Sequence, residues 1–491
     1  MVRLGQVGIG FWVAISLGAL AVGCDAGPEG QPEVRVAEIL IIDGRVLDPE
    51  TGMDEEANVA ISEGSIVGVG DGGWEAQDTL NAQGLVVAPG FIDVHAHGQD
   101  DENYAIRVRD GVTSALELEI GAGDVDAFYG SRAAGTLVNH GVSVGHAPVR
   151  MEVMDDPGTR LPAGPAADRV GTQDELEAIW AGIRRGLEAG AVAVGFSLQN
   201  TPGAGTEELE GIFALAAEFG VAVHAHIRYM GEGATGESAM DALEEVLSLS
   251  AGSGVPIHVA HVHSSGLGQT EALLERIDAA RNDGVSVTTE VYPYAAGQTS
   301  IEGSFFSEGW RERLGIDFGD VEWPETGERL TESNFGEFRA RGGLVIIHMI
   351  PPQAVSAAVA DPNAMIASDG VVQNGSGHPR VAGTYSRILG RYVREEGVLS
   401  LTEAIRKSSL MPAQLLQMAL PAMERKGRVQ VGADADLVVF DPERVIDRAT
   451  YEDPTLPPVG IPHVLVAGVI VVRDGQIDES VRPGTGLRRS H

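Results

Sequence analysis

The sequence predicts an α/β fold, a (β/α)8 TIM-like barrel with a small β-sandwich domain that both ends of the chain build. Two observations support this prediction. Through the middle of the chain, short apolar strands alternate with amphipathic helices at a repeat of about 30 residues, which is typical of a parallel sheet. At both ends, alternating apolar runs are broken by turn sequences, which indicates antiparallel strands. The chain has 491 residues, 43% hydrophobic and 21% charged, the composition of a folded protein.

Charge and cysteine content exclude several classes of protein. Lys and Arg number 34 against 71 Asp and Glu, which gives a formal net charge of −37. An acidic surface of that size repels phosphate backbones, so we expect no nucleic-acid partner. The chain has one cysteine, Cys24. An internal disulfide framework and a cysteine-rich zinc or iron–sulfur site are therefore excluded.

The N-terminus has the pattern of an export signal. The apolar run Gly8–Val22 has signal-peptide length and is shorter than the ~20 residues of a membrane span. The sequence Ala-Val-Gly that follows with Cys24 resembles a bacterial lipobox, in which the cysteine is lipidated. We predict a lipoprotein signal peptide at 1–23 and a flexible tether at 24–33. The expected protein is bacterial, exported, and anchored in a membrane through Cys24 on the periplasmic or cell-surface side. Ordinary cleavage with an unmodified cysteine is the alternative.

Two separate segments are predicted to form the β-sandwich, residues 34–90 and residues 421–485. In the first, Val34–Leu47 and Ala57–Gly70 are apolar runs broken by Asp-Gly and Glu-Gly turns. The second has the same pattern, with predicted strands at Gly427–Val431, Ala435–Phe440 and His463–Val472. Two β-rich ends around a different middle indicate one domain built from both.

Residues 91–420 are predicted to form the barrel. The predicted strands are Ala191–Ser197, Val221–His226, Val255–His261 and Val285–Tyr292, and the predicted helices are Thr206–Phe219, Glu237–Ser250 and Gln269–Asn282. Thr206 and Gly220 are the expected N-cap and C-cap of the first of these helices. In such a barrel the chemistry lies at the carboxyl ends of the strands.

Residues 295–343 interrupt the alternation of strand and helix. They carry aromatic residues among many acidic ones, including Phe305, Phe306, Trp310, Phe318 and Trp323. One interpretation is a surface excursion with its own small core. The other is a lid or a substrate-binding insertion. Both interpretations stay open at this point.

Histidines collect at the ends of predicted strands, where nine of the 13 lie. These nine are His95, His97, His146, His224, His226, His258, His261, His263 and His348. Because neutral imidazole is the commonest metal ligand among side chains, this grouping indicates a metal site.

The clearest single motif is His-x-His at the end of the apolar strand before His97. Side chains at i and i+2 of a strand point to the same side, so His95 and His97 can hold one metal ion. Asp369 follows another short apolar strand. Its carboxylate could bind metal and exchange protons with a bound water. Capping of a turn before Gly370 is the alternative.

Four motifs extend this interpretation: Ala88–His97, Glu290–Tyr294, His378–Arg380 with Gly383–Gly390, and Gly432–Asp441. Together they resemble the amidohydrolase superfamily and, more narrowly, the D-aminoacylase (N-acyl-D-amino-acid deacylase) family. The similarity runs over most of residues 35–485. It implies a zinc-dependent hydrolase with a (β/α)8 barrel and a composite β-sandwich.

The resemblance also implies a set of ligands for one or two Zn²⁺ per chain. His95, His97 and Asp369 would bind the more buried metal. His226 and His261 would bind the more exposed one.

The bridging position departs from the family pattern. The family places a cysteine at the end of the second barrel strand to bridge the metals, and this chain has none there. The corresponding stretch, Thr113–Gly121, carries Glu117 and Glu119 on one face. Glu119 lies nearer the end of the strand, so we predict it as the bridging ligand. Glu117 is the alternative.

Substrate contacts follow from the same resemblance. Arg380 is expected to bind a substrate carboxylate through two hydrogen bonds. The family has a lysine at the position of His263, which leaves the preferred acyl amino acid open. Tyr292 and Tyr294 are candidates to donate a hydrogen bond to the oxyanion that forms, with ordinary aromatic packing as the alternative. Further expected contacts are Arg228, His378, His146 and His348.

The predicted activity is hydrolysis of the amide bond in N-acyl-D-amino acids or close derivatives. Bound zinc lowers the pKa of water toward ~7. Asp369 is expected to take the proton of that water and return it to the leaving amine. The predicted partner is a small-molecule substrate, and the membrane is contacted only through the lipid anchor.

Three alternatives stay open. A D-amino-acid dipeptidase is close in chemistry. A cyclic-amide hydrolase of the dihydroorotase or hydantoinase kind commonly uses a strand-borne lysine, and no lysine precedes Lys407 here. A retired hydrolase that only binds ligands at the cell surface is the non-enzyme alternative. The retained histidines and Asp369 argue against it.

Overall fold

The computed structural model describes residues 35–233 and 237–490. The predicted signal peptide at 1–23 and the tether at 24–33 lie outside the described residues. In the ranges that are described, no helix has both the length and the apolar character needed to cross a membrane.

Eight parallel strands form the central sheet, in the order in which the chain reaches them. Numbered 1 to 8, they are Phe91–Asp93, Val112–Ala122, Asn139–Gly145, Ala193–Ser197, Ala222–His226, Ile257–Val259, Val287–Val291 and Ala364–Ile366. Just past strands 1 and 8, Ala96 pairs with Gly370 in a parallel bridge. The edges of the sheet therefore meet, and the predicted (β/α)8 barrel is confirmed.

Helices surround this sheet, except Trp310–Leu314 and Phe335–Arg341, which lie in the segment between strands 7 and 8. They are Asp101–Arg109, Val125–Gly130, His146–Val153, Pro165–Asp168, Gln173–Glu188, Thr206–Phe219, Ala239–Ser253, Val262–Gly266, Thr270–Asn282, Trp310–Leu314, Phe335–Arg341, Pro352–Ala360, Arg380–Arg387, Leu401–Ile405 and Met411–Leu416, with π-helical stretches at Ile388–Glu395 and Arg406–Leu410. In Gln173–Glu188 the buried residues include Leu176, Ile179 and Ile183. Their spacing of three and four gives the helix one apolar face toward the barrel.

The strands of both chain ends share one nine-stranded sheet. They are Arg35–Asp48, Met53–Ser62, Ser65–Val69, Trp74–Asn81, Val86–Pro89, Leu437–Phe440, His463–Val466, Val469–Arg473 and Gln476–Ile477. The two ends join where Val86–Pro89 pairs antiparallel with Leu437–Phe440. Barrel strand 1 begins directly after this pair, so the terminal sheet fixes the start of the strand that leads to the His-x-His motif.

The segment between barrel strands 7 and 8 builds a unit with its own core. It contains a four-stranded sheet of Gly297–Ser300, Leu344–Ile347, Val321–Trp323 and Glu328–Arg329. Phe305, Phe306, Trp310 and Trp323 are buried in one apolar cluster. The predicted end of the insertion at residue 343 is too early, because Leu344–Ile347 pairs within this sheet.

Helix ends differ from the prediction in two places. Gly205, not Thr206, occupies the N-cap of Thr206–Phe219. The helix predicted at Glu237–Ser250 spans Ala239–Ser253 instead, because Ser238 caps it and the left-handed Gly254 ends it.

The strand predicted at Gly427–Val431 is also wrong. Side chains, not a neighbouring strand, hold this backbone. The Val429 N–H donates to an Asp48 carboxylate oxygen at 3.0 Å, and Arg428 pairs with Glu50 at 2.6 Å.

Candidate active site

His95 and His97 lie directly after barrel strand 1, and their side chains converge. Their Nε2 atoms are 3.1 Å apart, and both rings are buried. The backbone between them is held from both sides. The Ala96 N–H donates to the Leu116 carbonyl at 2.9 Å, and the Asp369 N–H donates to the His95 carbonyl at 2.8 Å.

Asp369 completes a compact group of three. Its Oδ1 lies 3.2 Å from Nε2 of His97 and 3.4 Å from Nε2 of His95. In the part of the chain that the structure describes, these three residues form the group whose ligand atoms all lie within 4.8 Å of one another. Asp369 has a φ of 49°, a conformation that costs free energy in a non-glycine residue and clusters at functional sites.

Glu119 and Glu117 occupy different places. Oε2 of Glu119 lies 3.6 Å from Nε2 of His97 and 3.7 Å from Nε2 of His95, and its Oε1 lies 3.6 Å from Nδ1 of His226. Glu119 therefore stands between the two groups of histidines, where a bridging ligand must be. Glu117 instead accepts a hydrogen bond of 2.7 Å from Nδ1 of His97.

His226 and His261 form the other side of the cluster. Their ring centroids are 4.5 Å apart, and Nε2 of His261 lies 3.8 Å from Oδ2 of Asp369. The predicted strand Val255–His261 is too long at this end. Strand 6 stops at Val259, and His261 has a φ of 29°. This sharp turn carries the imidazole back to the cluster.

The donor set around His95 fits a cation. Nδ1 of His95 faces Glu290, and Nδ1 of His97 faces Glu117. Because carboxylates only accept, the Nδ1 atoms carry protons and the Nε2 lone pairs face each other. Such lone pairs repel unless a proton or a metal ion lies between them. Glu290 and Asp369 accordingly raise the pKa of His95, although its burial acts in the opposite direction.

Two further buried atoms also indicate that the cluster fits a cation. Nε2 of His226 and Oε1 of Glu119 have no hydrogen-bond partner among the residues described. A buried polar atom without a partner is costly. Imidazole nitrogen and carboxylate oxygen are ligands of Zn²⁺, so the residues present fit this ion.

Burial and ion pairing shift the pKa values of the cluster. Burial alone would raise the pKa of the Asp369 carboxyl, but Arg380 and His95 hold it well below its ordinary value. Burial lowers the pKa of His261, and neighbouring His226 lowers it further. Asp369 is therefore ionised and His261 neutral at pH 7, the states that bind metal.

A pocket opens above the cluster, and Arg380 and Tyr292 line it. Nη1 of Arg380 lies 2.9 Å from Oδ2 of Asp369, and its guanidinium stacks 4.3 Å from the Tyr292 ring centroid. The insertion supplies apolar lining residues, Phe305, Leu344 and Ile347. It therefore has its own core and also forms part of the pocket wall.

The family follows from comparison with known sequences. The model of a family described as "Amidohydrolase family" matches residues 78–472. The chain belongs to the amidohydrolase family. Two similar relatives come from Alcaligenes xylosoxydans xylosoxydans. An N-acyl-D-glutamate deacylase is 31% identical, with 92% of this chain and 96% of the relative covered. A D-aminoacylase is 28% identical, with 90% and 96% covered.

Solved structures agree with this assignment. The N-acyl-D-glutamate deacylase of Bordetella bronchiseptica was crystallised with zinc and a phosphonate inhibitor that mimics the tetrahedral intermediate of its reaction. It superimposes with a TM-score of 0.78 at 30% identity, covering 92% of this chain and all of that one. A D-aminoacylase with a binuclear metal centre gives a TM-score of 0.77 at 27% identity, covering 92% of this chain and all of its own. The predicted D-aminoacylase resemblance is confirmed.

Three predicted substrate residues of this amidohydrolase lie next to residues of the site but are not among those that line the pocket. His263 packs edge-on against Tyr292, with ring centroids 4.2 Å apart. Neither ring nitrogen of His263 has a partner within the described ranges. Tyr294 turns away, with its hydroxyl 3.4 Å from Asp447. His378 lies behind Arg380, and its Nδ1 accepts the Arg380 backbone N–H at 3.1 Å.

Three other residues predicted to contact the substrate of this amidohydrolase are instead paired with carboxylates outside the cluster. Arg228 pairs with Glu245 at 2.9 Å and donates to the Pro202 carbonyl at 2.8 Å. The remaining two are His146, which pairs with Glu208 at 2.7 Å, and His348, which pairs with Glu322 at 2.9 Å. The fold does not bring these three side chains to the cluster, because each is bound to a carboxylate on a neighbouring element.

Sequence reasoning missed Glu290, although the Glu290–Tyr294 motif contains it. Its carboxylate contacts Nδ1 of His95 and lies 3.1 Å from Nε2 of His258. Glu290 precedes Tyr292 by two positions on strand 7. Strand alternation, which places both residues on one face, was the signal available.

Proposed function

We propose that this amidohydrolase cleaves the amide bond of N-acyl-D-amino acids. One observation carries the proposal: the group of His95, His97 and Asp369 adjoins Arg380 and Tyr292 in a single pocket. A metal-ligand group, a carboxylate binder and a hydroxyl donor are thus together. The relatives named above, which are deacylases of this substrate class, support the proposal.

Zinc held by His95, His97 and Asp369, with His226, His261 and Glu119 for a second ion, would supply a polarised water and a Lewis acid for the carbonyl. Two observations support this assignment. The Nε2 atoms of His95 and His97 face each other, and Nε2 of His226 and Oε1 of Glu119 are buried without a partner among the described residues. The chain's own residues account for the remaining steps.

Asp369 handles the proton. As the water oxygen forms its bond to the carbonyl carbon, the carboxylate accepts a water proton. It then gives that proton to the amide nitrogen as the C–N bond breaks, so a free amine and a carboxylic acid result. Oδ2 of Asp369 lies 2.9 Å from Arg380, which keeps the carboxylate ionised and oriented.

Tyr292 and Arg380 bind the substrate. The Tyr292 hydroxyl donates to the carbonyl oxygen as negative charge develops there. Arg380 takes the substrate carboxylate. Its Nε atom is buried without a hydrogen-bond partner in the described part of the chain, so this donor is free for the contact. His263, which is uncharged because burial lowers its pKa to about 3, does not add a second cation.

The test is release of free amino acid from racemic N-acetyl Glu, Asp, Leu, Met and Phe by the zinc-loaded protein, followed by chiral chromatography. We expect D-products alone. Release of L-products at equal rate, or no release from a zinc-loaded protein, would contradict the proposal. D-dipeptides and cyclic amides would then be tested in the same assay.

A further inference from the structure

A column of buried polar side chains continues from the metal-ligand group into the barrel interior. Nδ1 of His95 contacts Oε1 of Glu290, and Oε2 of Glu290 lies 3.1 Å from Nε2 of His258. Nδ1 of His258 lies 2.8 Å from the Thr288 hydroxyl oxygen. The His224 ring packs against His258, with centroids 4.8 Å apart. Glu290 is 1% exposed, so its carboxylate is shielded from bulk solvent.

The Glu290 carboxylate determines which nitrogen of His95 can bind a metal. An ionised carboxylate only accepts hydrogen bonds, so Nδ1 of His95 must donate. The lone pair of His95 is then on Nε2, the atom that lies 3.1 Å from Nε2 of His97. Without Glu290, the ring could take the other tautomer or rotate.

The same carboxylate also supports a second part of the cluster. The backbone N–H of His261 lies 3.4 Å from Oε1 of Glu290. His261 has a φ of 29°, an unfavourable conformation that persists only where neighbouring contacts hold it. The Glu290 carboxylate therefore orients the ring of His95 and the turn that carries His261, and both residues are expected metal ligands.

Barrel packing does not require this carboxylate. A buried carboxylate costs free energy unless hydrogen bonds compensate for lost water. Side chains inside such barrels are mostly branched and apolar. The cost is compensated here by two histidines, one at the metal-ligand group and one deeper in the barrel.

We propose that Glu290 is a positioning residue that fixes His95 for metal binding, and that His258 anchors Glu290. This inference rests on the metal site of the proposed function. It concerns zinc affinity, so its failure is distinguishable from failure of the amide-cleavage proposal.

The test is the zinc dissociation constant of Glu290→Gln, measured by competition with a chromophoric chelator. Glutamine keeps the shape and loses the charge. Loss of a carboxylate behind a metal-binding histidine weakens metal binding by about 10- to 100-fold, and we expect that range. Glu208→Gln is the control, because Glu208 makes a buried histidine–carboxylate contact of 2.7 Å with His146, and a further ion pair with Arg150, outside the cluster. We expect wild-type zinc affinity in this control.

Thermal unfolding of the metal-free variants separates positioning from folding. If Glu290→Gln does not fold, His258→Leu is the second variant, since it keeps Glu290 and removes its anchor. We expect weaker zinc binding in that variant too, by a smaller factor. Wild-type zinc affinity in a folded Glu290→Gln, or in His258→Leu where the first variant fails to fold, would overturn the proposal. An equal loss of affinity in Glu208→Gln would overturn it as well.

Discussion

Asp369 and Arg380 share a contact that joins two parts of the site. Oδ2 of Asp369 lies 2.9 Å from Nη1 of Arg380, while its Oδ1 lies 3.2 Å from Nε2 of His97. One carboxylate thus touches the metal-ligand group and the residue proposed to hold the substrate carboxylate. If the proposed roles hold, substrate orientation and proton transfer are therefore linked through this side chain.

Asp369→Asn is expected to lower kcat by about 100-fold or more, because an amide cannot accept the proton of the attacking water. Circular dichroism and thermal unfolding should stay close to wild type. Asp278→Asn, which removes a partly exposed carboxylate paired with Arg281 at 2.7 Å, serves as the control. Activity within about 10-fold of wild type in Asp369→Asn would refute the assigned role.

Glu119→Ala is expected to reduce zinc content, because this side chain stands between both groups of histidines. Glu117→Gln should keep the number of bound ions and weaken their binding, since Glu117 contacts the far side of His97. Atomic absorption on dialysed protein measures both variants. Unchanged zinc content in Glu119→Ala would mean that the bridging ligand is another residue.

Tyr292→Phe is expected to lower kcat by about 100-fold, the usual cost of losing one oxyanion donor. KM should change little, because the hydroxyl contact strengthens only as charge develops. Tyr294→Phe is the matched control. Its hydroxyl lies 3.4 Å from Asp447, so steady-state kinetics should be near wild type. A larger loss in Tyr294→Phe would reverse the assignment.

Arg380→Lys is expected to raise KM by about 10-fold or more, because lysine cannot make the paired hydrogen bonds of guanidinium to a carboxylate. Inhibition constants identify the contact. Binding of a D-amino acid product should weaken, and binding of the corresponding amine without a carboxylate should not. Equal weakening for both inhibitors would argue that Arg380 acts only through Asp369.

Acidification is expected to destabilise the fold through His140, which lies away from the cluster. Burial lowers the pKa of His140 to about 4 from an ordinary 6.5, and Arg132 adds to this. Between pH 6.5 and about 4, His140 therefore binds a proton in the unfolded chain but stays neutral in the folded chain. The stability due to neutral His140 is complete above pH 6.5 and is lost as pH falls toward 4. Chemical unfolding of His140→Phe should show a shallower fall across this range. An unchanged pH profile would exclude this contribution.

Much of the barrel could be predicted because its strands and helices carry local signals. Ala222–His226 is a short apolar strand followed by a helix, and the structure has both. His261 illustrates what a local pattern does not contain. Its strand ends two residues earlier, and the left-handed turn at His261 is held partly by Glu290, which is distant in sequence.

The candidate site was also only partly predictable from local sequence patterns. His95 and His97 follow from strand geometry alone, whereas the ion pair that occupies Arg228 depends on Glu245, on the helix after strand 5. Pairings between elements are set by tertiary packing and leave no periodic signal. The different contacts of Glu117 with His97 and of Glu119 with His226 could not be predicted for the same reason.

Zinc titration of the metal-free protein, with release of D-methionine from N-acetyl-D-methionine as the readout, tests the central claim most directly. We expect no turnover without zinc, a rise in rate as zinc is added, and none of this rise in His97→Asn. Equal turnover before and after zinc addition would contradict a metal-dependent deacylase, and so would saturation with zinc without any hydrolysis.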